Sequence, residues 1–438
     1  MRRRFLVVLG ALTIPAALLA APPPAPQPTA NPTVGPAPAA YTLPPDKYRQ
    51  AVAFSRAKYR LHFLGFAWEV LLLGGLIALR VAPRYRDLAE RLSRRRFVQA
   101  LVFVPLLLLT EQVLDLPLAV WGHRLSVFYG QSIQAWDSWL WDWLKGVLIA
   151  LALFVPVVWV LYGILRRSPR RWWLWFWLAT LPIIVFVVFI APVVVDPLFF
   201  DFQPLAGKAP QLVERIESVT ERGGLSIPRE RMFLMDASRK LKSLNAYVTG
   251  FGGSKRVVVW DTTLDRMTIP QTLFVFGHEM GHYVLAHIPK TIAFVAALSL
   301  VLLFLAHGVL RRVLPEGREY RGIRGVTDWA SLPALMLVVT VFGEIASPVV
   351  ASYSRMQEHA ADIYGLEVIH GLVPDSQRTA AEAFQILGEV NLSDPAPSRF
   401  IELWLYDHPP LGERVAFARG YDPWAKGEPT RYVREKMP

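Results

Sequence analysis

Apolar residues run along this chain in long stretches, without the strict alternation of a half-buried strand. Six runs are long enough to cross a bilayer, near residues 61–80, 98–120, 145–165, 172–195, 291–310 and 330–350. Several carry proline (Pro105, Pro156, Pro182, Pro333), which a span tolerates when its neighbours satisfy the freed backbone groups. Trp172, Trp173, Trp175 and Trp177 suit an interfacial belt. A shorter apolar stretch opens the chain. Arginines precede it and small residues end it, the pattern of a secretory signal or an uncleaved first span over residues 1–21. Pro and Ala then dominate as far as Pro45, which predicts an extended linker.

Residues 200–290 are the most polar long stretch between spans. Leu212, Ile216 and Val219 repeat with helical spacing between Gln211 and Arg222, and Gly223-Gly224 ends that helix. Met232–Met235 reads as a short strand. Ala246–Thr249 and Arg256–Trp260 are β-branched and aromatic runs around Gly250, Gly252 and Gly253, so a hairpin is expected. Thr268 as N-cap and Pro270 in the first turn open a helix that runs to about Ala286. After the last apolar run the tail reads as soluble and mostly helical, and no internal repeat is visible.

The pattern therefore predicts a mainly α, polytopic helical membrane protein of six to seven spans with a small α+β domain. Its parts are a signal or first span (1–21), a Pro-rich linker (22–46), four spans (47–199), the α+β domain (200–290), two further spans (291–351) and a C-terminal part (352–438). Composition agrees: 53% of residues are hydrophobic and 19% charged, against roughly 45–50% and ~25% for a soluble chain. Mean hydropathy is +0.32. The net charge of +12 would suit nucleic acid. Its arginines, however, sit beside the apolar runs, as in Arg94–Arg96, Arg166, Arg167, Arg170 and Arg171. That is how topology is set in membranes, so the partner read from the charge is the lipid bilayer and not nucleic acid.

The chain has no cysteine. Disulfides and thiolate nucleophiles are excluded, and any metal site must use His and carboxylates. The predicted helix at 268–286 contains His278-Glu279-Met280-Gly281-His282. Histidines at i and i+4 share one helical face and can share one metal. Zinc lowers the pKa of a water it holds towards ~7, and Glu279 is placed to take that water's proton for attack on a peptide carbonyl.

A catalytic zinc takes three protein ligands and keeps a position open, so the third is His, Asp or Glu. Glu358 is nominated, just past the last span, with Asp362 four residues on to accept from a ligand imidazole. Alone, such a pair is usually a solvated helix face. It gains weight because His278 and His282 need a partner. His359 is a weaker candidate. His287, five residues past His282, reads as a helix-end residue, and His62, His123, His307 and His370 suit ordinary packing.

These residues resemble the type I CAAX prenyl protease family, integral-membrane HExxH zinc proteases. The resemblance runs from about Tyr48 to Arg414. Its strongest parts are His278 to His287, Asn245-Ala246-Tyr247 with the Lys255–Leu264 segment, Ser354-Arg355 ahead of Glu358 and Asp362, and His408-Pro409. Two spans separate the HExxH helix from Glu358, as in that family. His359 departs from it, standing where an aromatic is usual.

The resemblance implies spans ringed around a water-filled chamber, which a peptide or protein substrate enters, with one zinc ion capping it. It implies that Asn245 and Ala246 belong to an edge strand that pairs with substrate backbone. It also implies that His408 and Arg414 stabilise the oxyanion. The function expected is zinc endopeptidase action on prenylated-type, membrane or misfolded proteins. A catalytically inactive scaffold or transporter with a structural metal is the competing reading, and Glu279 argues against it.

Glu69, Glu111 and Glu344 lie in or beside apolar runs and are expected to line hydrated space, with interfacial placement the alternative for Glu111 above all. The arginine-rich loops at 80–97, 166–171 and 311–324 fall on one side. The positive-inside rule makes that side cytoplasmic, so the zinc domain is expected to face outward, and the signal-like N-terminus suggests a bacterial inner membrane.

Overall fold

The computed structural model describes residues 41–250 and 255–433. The expected signal or first span at 1–21, and the linker as far as residue 40, lie outside the described residues. The chain begins with α1 (Pro45–Ala78), a short α2 (Val81–Leu92), α3 (Arg96–Phe128), α4 (Trp136–Arg167) and α5 (Trp172–Phe189). A small α+β part follows: β1 (Phe202–Pro204), α6 (Pro210–Arg222), β2 (Met232–Met235), β3 (Ala246–Thr249), β4 (Arg256–Trp260) and α7 (Ile269–Val284). Then come α8 (His287–Val313), α9 (Leu332–Ile369), α10 (Ser376–Asn391), α11 (Arg399–Leu405) and α12 (Leu411–Gly420). Among the described residues, α1, α3, α4, α5, α8 and α9 with its leading turn make 6 helices long and apolar enough to cross a membrane.

Two of these helices outrun the lipid. At ~1.5 Å per residue α1 is about 51 Å long and α9 about 57 Å, against a hydrocarbon core of ~30 Å. The first turns of α1 carry Ala51 and Phe54, which pack with Leu392 beside the α+β part. Ser55 Oγ donates to the Leu392 carbonyl at 3.4 Å. The last turns of α9 bury Tyr364, Leu366, Val368 and Ile369 in the α+β core with Ile216, Phe274, Met280 and Phe384. A separate core, including Leu73, Phe103, Tyr162, Trp172 and Trp329, lies within the helical bundle. Tyr41, from the end of the expected linker, is only 1% exposed and donates to the Ser393 carbonyl at 3.4 Å.

The sheet order is β1-β2-β4-β3. β2 and β4 are parallel, while β3 and β4 pair antiparallel with Ala246 opposite Val259 and Thr249 opposite Arg256. β3 is thus an edge strand. Thr268 and Gln271 close a reciprocal capping box at the start of α7, satisfying two amide donors that a helix start leaves open.

α7 crosses α9 at very short range. A Cβ on Gly365 would lie 3.0 Å from the His278 amide nitrogen, and one on Gly277 would lie 2.8 Å from Val368 Cγ1. Only glycine allows that approach without displacement.

The arginine-rich loops gather at the end of the bundle away from the sheet. Arg324 pairs with Glu90 at 2.9 Å and Asp87 at 3.3 Å, Arg86 pairs with Asp328, and Arg166 lies over the Trp329 ring. Glu111 neither lines the hydrated space expected for it nor takes the interfacial position that was the alternative. It is 0% exposed, beside Glu69 at 4%, because its helix turns that face into the bundle and not to headgroups. Glu344 instead takes hydrogen bonds from Trp404 Nε1 at 2.6 Å and His62 Nε2 at 3.2 Å.

The close crossing gives a direct test. Gly365→Val should overpack it and destabilise the protein by about 1–3 kcal/mol, seen as a lower thermal midpoint in detergent. An unchanged midpoint would show that the crossing can open without cost.

Candidate metal centre

His278 and His282 stand one turn apart on α7, with their Nε2 atoms 3.2 Å apart. Glu358 reaches them from α9. Its Oε2 is 3.1 Å from His278 Nε2 and its Oε1 3.4 Å from His282 Nε2. One donor atom from each residue falls within 4.8 Å of the others. Bonds of ~2.0–2.1 Å in a tetrahedral arrangement put ligand atoms ~3.3 Å apart, so the spacing fits a small divalent cation. The Glu358 Oε2 atom fits as well. It is buried and accepts no hydrogen bond of good geometry, although two ring nitrogens approach it. A buried carboxylate oxygen left in that state is matched by a cation.

Behind His278 lies a second arrangement. Its Nδ1 is 2.8 Å from Asp362 Oδ1, and Asp362 is 1% exposed. Arg414 grips the same carboxylate with two hydrogen bonds, Nε to Oδ2 at 2.9 Å and Nη2 to Oδ1 at 2.6 Å. Burial disfavours the charged His278 ring, but the Asp362 and Glu358 carboxylates outweigh it and raise its pKa to about 9. The same field favours a bound cation. Burial also works against charge on Arg414, and Asp362, Glu358 and Glu279 outweigh it, so its pKa is raised. Glu279 is part-buried on α7.

His408 enters from the segment after α11. Its Nε2 is 3.1 Å from Glu358 Oε2, its Nδ1 3.0 Å from Asp407 Oδ1, and its side chain is about half exposed. Asn245 is exposed at the start of β3, whereas Ala246 is 2% exposed and donates its N–H to Asn245 Oδ1 at 2.9 Å. The fold therefore brings His278, Glu279, His282, Glu358, Asp362, His408 and Arg414 into one cluster. His359 instead packs its ring on Phe417, and His370 stacks on Trp424.

Sequence spacing missed His287. Its Nδ1 lies 3.1 Å from His282 Nδ1 and the residue is 5% exposed. A left-handed Ala286 (φ 55°) breaks α7 from α8 and swings the ring back. No local signal marks that turn, since Ala seldom adopts it.

Residues 206–422 match peptidase family M48, and residues 29–201 match the CAAX prenyl protease N-terminal family, described as five membrane helices. An uncharacterized metalloprotease of Bacillus subtilis, YhfN, is 33% identical over 374 residues, covering 85% of this chain and 86% of its own. The chain belongs to peptidase family M48. This M48 chain is an integral-membrane metalloprotease with the organisation of the CAAX prenyl proteases. CAAX prenyl protease 1 of Saccharomyces cerevisiae is 24% identical over 400 residues, covering 84% of this chain and 85% of its own. The fold matches the crystal structure of S. mikatae Ste24p with a TM-score of 0.73 at 24% identity, over 86% of this chain and 90% of that one.

An M48 metallopeptidase needs a metal, and the buried pairing behind His278 should tune its hold. Asp362→Ala should weaken metal binding by about 10–100-fold, measured by competition with a chromophoric chelator. Unchanged affinity would detach Asp362 from the metal centre.

Proposed function

We propose that this chain is a zinc endopeptidase that cleaves membrane or membrane-proximal proteins, with His278, His282 and Glu358 as the zinc ligands. The carrying observation is that two imidazoles and a carboxylate with one unsatisfied buried oxygen converge within ligand spacing, with Glu279 beside them. A bound zinc supplies the Lewis acidity that brings a water's pKa to ~7 and polarises a carbonyl.

Glu279 accepts the proton of the attacking water and returns it to the leaving amine. His408, half exposed at the mouth of the cluster, donates to the developing oxyanion. The resemblance gave Arg414 the same task. Its guanidinium is instead engaged by Asp362 on the Nδ1 side of His278, so we assign it to holding Asp362, and through Asp362 the ring of His278. His282 turns its Nδ1–H to His287, which fixes the tautomer with Nε2 as donor atom.

The open edge of β3, with Asn245 and Ala246 at its start, pairs with an extended substrate backbone, which suits sequence-tolerant cleavage. Substrates are prenylated-type, membrane or misfolded proteins that reach the site through a chamber within the bundle. The signal-like N-terminus favours a bacterial inner membrane, and the positive-inside rule favours a zinc domain outside the cytoplasm.

Purified protein should carry about one zinc per chain and cleave an unfolded reporter, with a chelator abolishing turnover. Glu279→Ala should keep the metal and lose about 10²–10⁴-fold in turnover. Full activity there would remove Glu279 from the mechanism. Glu358→Ala should lose the metal on dialysis, and an undiminished zinc content would strike it from the ligands.

A further inference from the structure

Carboxylates at the arginine-rich end of the bundle are shared unevenly. Arg86 pairs with Asp87 and Asp328, and Arg324 with Asp87 and Glu90. A cleft of about 500 Å³ is lined by four other arginines, Arg80, Arg312, Arg318 and Arg321. Arg312 donates to the Gly308 carbonyl one turn back. Among the described residues, Arg80, Arg318 and Arg321 have no ion pair or side-chain hydrogen bond. Four guanidinium groups around one cleft repel one another unless an anion lies between them. Two of them, Arg80 (φ 56°) and Arg321 (φ 52°), also stand in the left-handed backbone region that residues with a Cβ rarely adopt.

The depth of the cleft indicates what the anion is. Arg80 directly follows the Leu79 that caps α1, and Arg312 lies in the last turn of α8. Their neighbours Leu79 and Val313 are 67% and 47% exposed, as residues at a lipid boundary are. The cleft thus opens where two spans leave the bilayer, at headgroup level. Basic pockets between span ends on the positive side of a membrane protein are suited to anionic headgroups.

We propose that this cleft binds the phosphate of an anionic phospholipid. Phosphatidylglycerol fits the lining: its phosphate meets the arginines and its glycerol hydroxyls can donate to Glu319, the acidic residue of the cleft. Val313 and Tyr320 offer apolar surface to the glycerol backbone and first methylenes. The site stands apart from the metal centre, at the opposite end of α8, and does not depend on the peptidase reading.

The test uses full-length protein in nanodiscs of phosphatidylcholine with a few per cent phosphatidylglycerol, with retained lipid read by native mass spectrometry. The triple variant Arg80→Gln, Arg318→Gln, Arg321→Gln should bind phosphatidylglycerol about a hundredfold more weakly, at a factor of ~5 for each arginine. The control Arg167→Gln, Arg170→Gln, Arg171→Gln removes equal charge from the same end and should keep the lipid. Arg318→Gln alone, on an exposed loop, should show about a fivefold loss even if the triple variant folds poorly. Equal retention by wild type and the cleft variants would overturn the proposal, as would equal loss in the control. Displacement of the lipid by millimolar inorganic phosphate would reassign the cleft to free phosphate and overturn it too.

Discussion

A carboxylate on the last span helix has to reach two imidazoles on another helix, and it can do so only because the two backbones almost touch. Gly277 and Gly365 set that distance. Ligand spacing tolerates errors of only a few tenths of an ångström, so the tightness of α7 against α9 governs whether the metal centre exists at all. The supports converge on the same contact. The capping box fixes where α7 starts, the β3–β4 pair lies alongside it, and α10 and α12 close the core behind it.

The electrostatics of the contact form a series. Arg414 balances Asp362, Asp362 aligns His278, and Glu358 faces the open side with an oxygen still to be satisfied. In a buried setting a chain of this kind stands only while every charge has its partner. That explains why the C-terminal segments return to the cluster. α12 delivers Arg414 and the turn before it delivers His408. The last described residues are clasped by Glu367 of α9, whose carboxylate accepts the amides of Arg431, Tyr432 and Val433.

Much of this was legible in the sequence, wherever a local cause decided the outcome. The strands at Met232–Met235, Ala246–Thr249 and Arg256–Trp260 followed from β-branched runs and glycine punctuation, and the start of α7 from Thr268 and Pro270. The spans followed from apolar length. Of the cluster, His278, Glu279, His282, Glu358 and Asp362 were legible because the two histidines share a helix face and no cysteine competes, whereas His408 and Arg414 came only through the family resemblance. What could not be read depends on contacts far apart in sequence. α1 starts well before its apolar run because its polar turns lean on Leu392. α9 continues past its apolar half because a second core receives it. His287 returns to His282 only through the strained turn at Ala286, and Glu111 is buried by the orientation of its helix, which hydropathy does not encode.

α8 and the apolar half of α9 stand between the HExxH helix and Glu358. During synthesis, the two histidines leave the ribosome well before the carboxylate does, and that carboxylate arrives on a helix that must first thread through lipid. Until the α8–α9 hairpin is inserted, Glu358 cannot come within reach of His278 and His282. Correct threading of α8 and α9 through the membrane is therefore a precondition for the meeting of α7 with the polar end of α9, and topology and cluster assembly are one event.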